Sequence, residues 1–249
     1  MSSPMARPAP RPPLPRLPSR WALGALHEWA ESLSARSRAL GLPPDGEATP
    51  TLSWVLSEED LPQGRELADS PVGRAFLGAL WAADAAAYPS PVDRVELARL
   101  AWVVSTFPQG FRLVLAEDAA GDWLPVGYTG WYPIAANTLE LLLRHPDQLR
   151  HRGQVAPLAA VEPGCAVYLF NYSITALLRR SRASRALLGE LAAALPPLGE
   201  HRRCALTVSA DGARVAARFG LERRGTAWIG GEAEGVFVSP DGGVQGALP

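Results

Sequence analysis

A short, nearly all-apolar run, residues 165–172 (CAVYLFNY), constrains this chain more than any other segment. Runs of that length and composition read as strands covered on both faces. Such a strand belongs in the middle of a sheet, with helices above and below it. The flanking sequence supplies the rest of that arrangement.

Downstream, the small and cationic residues RRSRASR (179–185) lead into a helix that ends before Pro196-Pro197. A long helix is expected within residues 173–195. A strand is expected at 203–208 and a helix at 210–219, closed by Gly220, where a C′ residue without a Cβ is favoured. A terminal hairpin follows, 226–229 and 235–239, around Gly230-Gly231. Upstream, Ser70 and Pro71 read as N-cap and first position of a helix that runs to Pro89. A second helix is expected to start at Ser90-Pro91. Residues 111–117 and 123–134 read as a hairpin around the turn 118–122, and a helix is expected over roughly 138–151. Residues 51–56 are a short strand candidate, and residues 21–40 carry a helical apolar stripe that Gly41 and two prolines stop. The fold class is therefore mixed α/β with a central sheet flanked by helices.

Composition narrows the function classes. The chain has 249 residues, 47% of them apolar, and a formal net charge of −1, which gives no reason to expect nucleic-acid binding. Its basic residues other than histidine are all arginines. Cys165 and Cys204 fall in expected strands with no CxxC or metal-ligand spacing, so free thiols in a reducing compartment and no metal site are expected. No apolar stretch reaches the roughly 18 residues that a membrane span needs. The Pro- and Arg-rich N-terminus has no secretory h-region. A cytoplasmic protein without a membrane partner is the expectation.

The run at 179–185 is where chemistry is expected. Small residues let backbone N–H groups approach a ligand, and a helix N-terminus favours an anion. Arginines add bidentate contacts to phosphate. A basic, solvated helix face is the plain alternative.

A strand, an Arg-rich loop of small residues and an Ala-Leu-Leu helix resemble the pyrophosphate-binding segment of the GNAT acyl-CoA N-acyltransferases. That segment has Gln or Arg, two residues, Gly, one residue, then Gly or Ala. Here it reads Arg179-Arg180-Ser181-Arg182-Ala183-Ser184, so the first Arg fits, Arg182 replaces the Gly, and Ser184 is the last small residue. Arg185-Ala186-Leu187-Leu188 fits the helix start. Residues 205–225 resemble the family's second signature, with Gly220-Leu221 in place of Gly-Phe. The resemblance covers residues 70–239. It implies a GNAT-like mixed sheet with an N-terminal helical extension. It also implies acyl-CoA as co-substrate, held by Arg180, Ser181, Arg182, Ala183, Ser184, Arg185 and Ala186.

Many GNAT enzymes carry a tyrosine in the last helix as acid toward the leaving thiolate; here that position is Ala216. Another hydroxyl is therefore expected to serve, with Tyr172 first and Tyr132 second. Tyr128, Trp131 and Asn171 are expected to line the substrate path, although such aromatics are more often core. His145 reads as a surface residue, and Glu117 and Asp118 as turn residues. The implied activity moves an acyl group from CoA, or from an acyl-carrier thioester, to a primary amine of a small molecule, peptide or protein. The alternative is a non-catalytic GNAT-like module that binds CoA or a protein partner. The expected organisation is a Pro/Arg-rich disordered tail (1–20), a helical extension and linker (21–69) and the acyltransferase domain (70–249). Proline removes the donors that would anchor the tail. Deleting residues 1–20 should leave the thermal melting midpoint unchanged, and a loss of several degrees would show that the tail packs on the domain.

Overall fold

The computed structural model describes residues 23–40, 51–56, 60, 67–88, 90, 93–118, 120–179, 181–197 and 200–240. The tail 1–20 and Arg180 lie outside them. Ser70 begins the helical layer as its position suggests. Its Oγ accepts from Gly73 N at 2.8 Å, and Pro71 occupies the first turn, where a missing N–H costs nothing. The helix α2 (Pro71–Ala87) is buried at every position from Ala79 to Ala87. A helix apolar all round belongs in the interior, and the alanines let neighbours come close. The helix α1 (Leu23–Ala39) packs along it, burying Ala30 and Leu33.

One seven-stranded sheet forms the other layer. Its strands are β1 (Thr51–Trp54), β2 (Phe111–Glu117), β3 (Trp123–Ile134), β4 (Ala166–Ile174), β5 (Arg203–Thr207), β6 (Glu222–Ile229) and β7 (Glu232–Val238). They lie in the order β1-β2-β3-β4-β5-β7-β6, antiparallel except for the central pair β4 and β5. That parallel pair is joined by α5 (Arg182–Ala194), the crossover helix a parallel connection requires. The remaining helices are α3 (Leu97–Thr106), α4 (Ala136–Arg144) and α6 (Ala210–Arg218). The strand at the centre of the sequence argument is central in space, with β3 on one side and β5 on the other.

The β2–β3 hairpin matches its expected limits, and Asp118 explains the turn. Its Oδ1 accepts from Ala120 N at 2.9 Å and Asp122 N at 3.0 Å, while Gly121 takes φ +82°. Gly220, with φ +73°, closes α6 as expected. Three other expectations need correction. The helix expected from Ser90-Pro91 begins only at Leu97, because the Val95 N–H is held by the Asp84 carboxylate at 2.8 Å and Arg94 Nε by the Tyr88 carbonyl at 2.9 Å. The helix expected over 138–151 stops at Arg144, since Pro146 starts a separate 3-10 turn. The helix expected within 173–195 lies there as α5, after a 3-10 turn, Ala176–Leu178. The first strand of the terminal hairpin begins at Glu222 rather than residue 226. The sheet also reaches back past Ser70: β1 pairs with β2, and Trp54 sits edge-on against Phe76 of α2 at 4.9 Å.

Among the described residues no helix is long and apolar enough to cross a membrane. Gly127 permits the close approach of β3 and β4. A Cβ there would lie 2.6 Å from the Ser173 carbonyl oxygen and 3.0 Å from the Ile174 Cα, both backbone atoms that cannot swing aside. Gly127→Ala should therefore destabilise the fold by about 1–3 kcal/mol despite the entropy it saves, measured by urea denaturation.

Candidate active site

The site begins with a break in the sheet. The parallel strands β4 and β5 pair only at Val167 with Arg203, Tyr168 with Cys204 and Leu169 with Ala205. Beyond Leu169, β4 stays with β3 while β5 stays with β7 through Thr207. The cause is local. Trp131 of β3 pairs with Leu169 and Gly130 with Asn171, so Phe170 is one residue too many on β4. Such a bulge bends its strand and increases its twist.

The bulge also decides where side chains go. Phe170 lies against Tyr132, with centroids 5.6 Å apart, and Asn171 Nδ2 donates to Asp84 Oδ1 at 3.0 Å. Two consecutive residues thus turn toward α2 and α3. The next residue, Tyr172, turns the other way, its hydroxyl 2.7 Å from Ser184 Oγ and donating to the Ser184 carbonyl at 3.2 Å. Because neighbours after the bulge alternate faces, α2 and α5 lie on opposite sides of the sheet. Asn171 and Tyr172 nevertheless line the same cleft, together with Asp84 of α2, Arg99 of α3, Leu191 of α5 and Ala216 of α6. The opening therefore runs through the sheet where β4 and β5 part. It holds about 880 Å³ of space free of atoms, its mouth included.

Asp84 is the most unusual group along it. The residue is fully buried, and three donors converge on its carboxylate: Tyr128 Oη and Asn171 Nδ2 on Oδ1, each at 3.0 Å, and Val95 N on Oδ2 at 2.8 Å. Burial raises its pKa from 3.8 to about 6, only partly opposed by these donors and the Arg94 charge. Arg99 Nη2 donates to Tyr132 Oη at 3.0 Å, and Tyr132 Oη in turn donates a hydrogen bond to the Val155 carbonyl at 3.0 Å. Arg152 binds Glu234 through Nε at 3.1 Å and Nη2 at 2.7 Å. Burial pushes the Tyr172 hydroxyl up from its ordinary value, while its contact with Ser184 pulls it back.

The sequence-based candidates divide on this geometry. Tyr172 and Asn171 line the cleft. Tyr128 sits behind it, holding Asp84, and Tyr132 is fully buried, holding Arg99. Trp131 turns away, packed edge-on against Phe107 at 4.8 Å. Ser181 caps α5, its Oγ accepting from Ser184 N at 3.2 Å and its carbonyl from Arg185 N at 3.3 Å. Ser181, Ser184, Arg185 and Ala186 do not line the cleft. Arg182 and Ala183 form the first positions of α5, whose N–H groups have no acceptor within the helix. Ala216, at the family's tyrosine position, does border the cleft and is 2% exposed.

Sequence reasoning missed Asp84, Arg99 and Arg152. A signal existed for the first: Asp84 is a lone acid inside LWAADAAAY, and an acid buried on an apolar helix needs partners.

No family model and no curated protein match this chain. Among solved structures, the loading GNATL domain of CurA from Lyngbya majuscula is similar over 76% of this chain and 97% of its own, with a TM-score of 0.51 at 14% identity. The chain has the GNAT fold. A GNAT-like decarboxylase, GphF, in complex with isobutyryl-CoA, is similar over 66% of this chain and 93% of its own, with a TM-score of 0.48 at 19% identity. Beside the parting of β4 from β5, the Tyr172 hydroxyl meets Ser184 in the first turn of α5.

Asp84 supplies a test of the site's electrostatics. A carboxyl whose folded pKa exceeds its unfolded value stabilises the fold when protonated and loses that contribution as pH rises. The shift from 3.8 to about 6 makes the loss about 3 kcal/mol, spread over about pH 4 to 6. Urea denaturation at both ends of that range should show the wild type losing about 3 kcal/mol more than Asp84→Asn. Equal losses would place the carboxyl in a wetter setting.

Proposed function

We propose that the cleft joins an acyl-CoA thioester, entering from the α5–α6 side, to a primary amine entering from the α2–α3 side. The observation that carries this reading is the opening where β4 and β5 part, whose lining includes Tyr172, hydrogen-bonded toward α5, and the buried Asp84 of α2. Two substrates that must meet head to head need two approaches to one point. The first turn of α5 offers the pyrophosphate the amides of Arg182 and Ala183, with Ser181, Ser184, Arg185 and Ala186 beside them and Arg180 next in sequence. Tyr128, behind Asp84, and Trp131, packed on Phe107, serve the acceptor path by shape rather than by contact.

Asp84 takes one proton from the ammonium of the acceptor, and the neutral nitrogen attacks the thioester carbonyl. The N–C bond forms and the C–S bond breaks. The second nitrogen proton replaces the one that Tyr172 gives to the CoA thiolate, so the products are amide, thiol and protonated Asp84. Asp84 then releases its proton to solvent. With a pKa of about 6 it is mostly ionised at neutral pH, as a proton acceptor must be. Ser184 Oγ, 2.7 Å from the Tyr172 hydroxyl, keeps that hydroxyl aimed and relays its proton. Tyr132 does not line the cleft, its hydroxyl being held between Arg99 and the Val155 carbonyl, and takes no part in this task.

A second reading draws on Ala216: without the usual tyrosine, the domain binds CoA and transfers nothing. One experiment separates the two. Calorimetric titration with acetyl-CoA reports binding, and thiol release in the presence of a panel of primary amines reports transfer. Acyl transfer predicts both, with Asp84→Asn and Tyr172→Phe each lowering kcat by about 10²–10⁴-fold. Binding without thiol release supports the second reading, and no binding by any acyl-CoA overturns both.

A further inference from the structure

We propose that Arg99 is the recognition residue for a carboxylate carried by one of the two substrates, an inference that rests on reading the cleft as an acyl-transfer site. Of the buried side-chain nitrogens and oxygens without a hydrogen-bond partner among the described residues, Arg99 Nε is the one that belongs to a cleft-lining residue. A buried N–H without an acceptor is costly, and a native structure keeps one where something else supplies the acceptor.

The guanidinium is fixed in advance. Nη2 is held by Tyr132, itself anchored on the Val155 carbonyl. The guanidinium carbon lies 5.7 Å from the Phe170 ring centre and 6.0 Å from that of Trp102. Phe170 is the bulge residue, so the feature that parts the strands also supports this cation. Side-chain entropy is spent before the ligand arrives.

The charges around it leave Arg99 as the unmatched cation. Arg152 shares the cleft but is matched by Glu234. No acidic side chain among the described residues pairs with Arg99. The planar Nε edge suits a carboxylate. A phosphate dianion is disfavoured, because Asp84, Asp93 and Glu234 border the same cleft, and because the phosphate-binding turn of α5 lies on the opposite face of the sheet.

The carboxylate has two possible sources, a dicarboxylic acyl group on the donor or an amino-acid acceptor. Calorimetry on the full chain with two matched pairs separates them: succinyl-CoA against butyryl-CoA, and phenylalanine against 2-phenylethylamine. The expected result is a preference of about 10-fold or more for the carboxylated member of one pair. In Arg99→Met that ratio should fall to about one. Arg99→Lys, which keeps the charge but not the Nε edge, should lower it as well and covers the case in which the methionine variant does not fold. A wild-type ratio near one in both pairs, or a ratio unchanged in either folded variant, overturns the inference. Binding of butyryl-CoA without discrimination in either pair would remove this role of Arg99 and leave the acyl-transfer reading standing. Preference for phenylalanine with no CoA thioester bound would do the reverse.

Discussion

One extra residue in β4 governs the rest of the molecule. The pairing of β4 with β5 ends at Leu169, where the bulge at Phe170 bends and twists β4. Their remaining hydrogen bonds are given up, yet neither strand is abandoned: β3 continues beside β4 to Ile174, and β7 beside β5 to Thr207. The sheet can open in its middle because each half keeps its outer partner. The antiparallel flanks are thus the condition for the central parting.

The opening then sets the chemistry of its walls. A sheet interior is where charged groups are least tolerated, and Asp84 survives there because its three donors come from different elements. Two of them, Tyr128 and Asn171, belong to β3 and β4, against which α2 packs. The third, the Val95 amide, is also what delays the start of α3. The carboxylate therefore shapes backbone as well as charge. It holds the α2–α3 connection through the Val95 amide and borders the cleft.

Tyrosines illustrate how position alters the role of one residue type. Tyr128 and Tyr132, on the same face of β3, are fully buried and act as holders, the first of an acid and the second of a guanidinium. Tyr172 lies beyond the bulge and reaches the α5 side, partly open to the cleft. No property of the three side chains distinguishes them; the register of β3 against β4 does.

Sequence alone determined the elements. The apolar run at 165–172, the Ser-Pro start of α2, the hairpin around Asp118 and the glycine that ends α6 are local signals, each set by contacts within a few residues, and each appears in the structure. The Arg-rich run marked the start of α5 for the same reason. Where an element's limits depended on a side chain of another element, sequence misplaced them: Pro91 looked like a helix start, but the Asp84 carboxylate of α2 holds the Val95 amide. The site was legible only in part. Tyr172 and Asn171 lie on the apolar run that the sequence marks as a central strand, whereas Asp84 and Arg99 sit in helices whose apolar patterns advertise core. Only the tertiary structure decided that a single bulge would face both helices toward one opening, because pairing register, unlike helix or turn formation, is fixed by the partner strand.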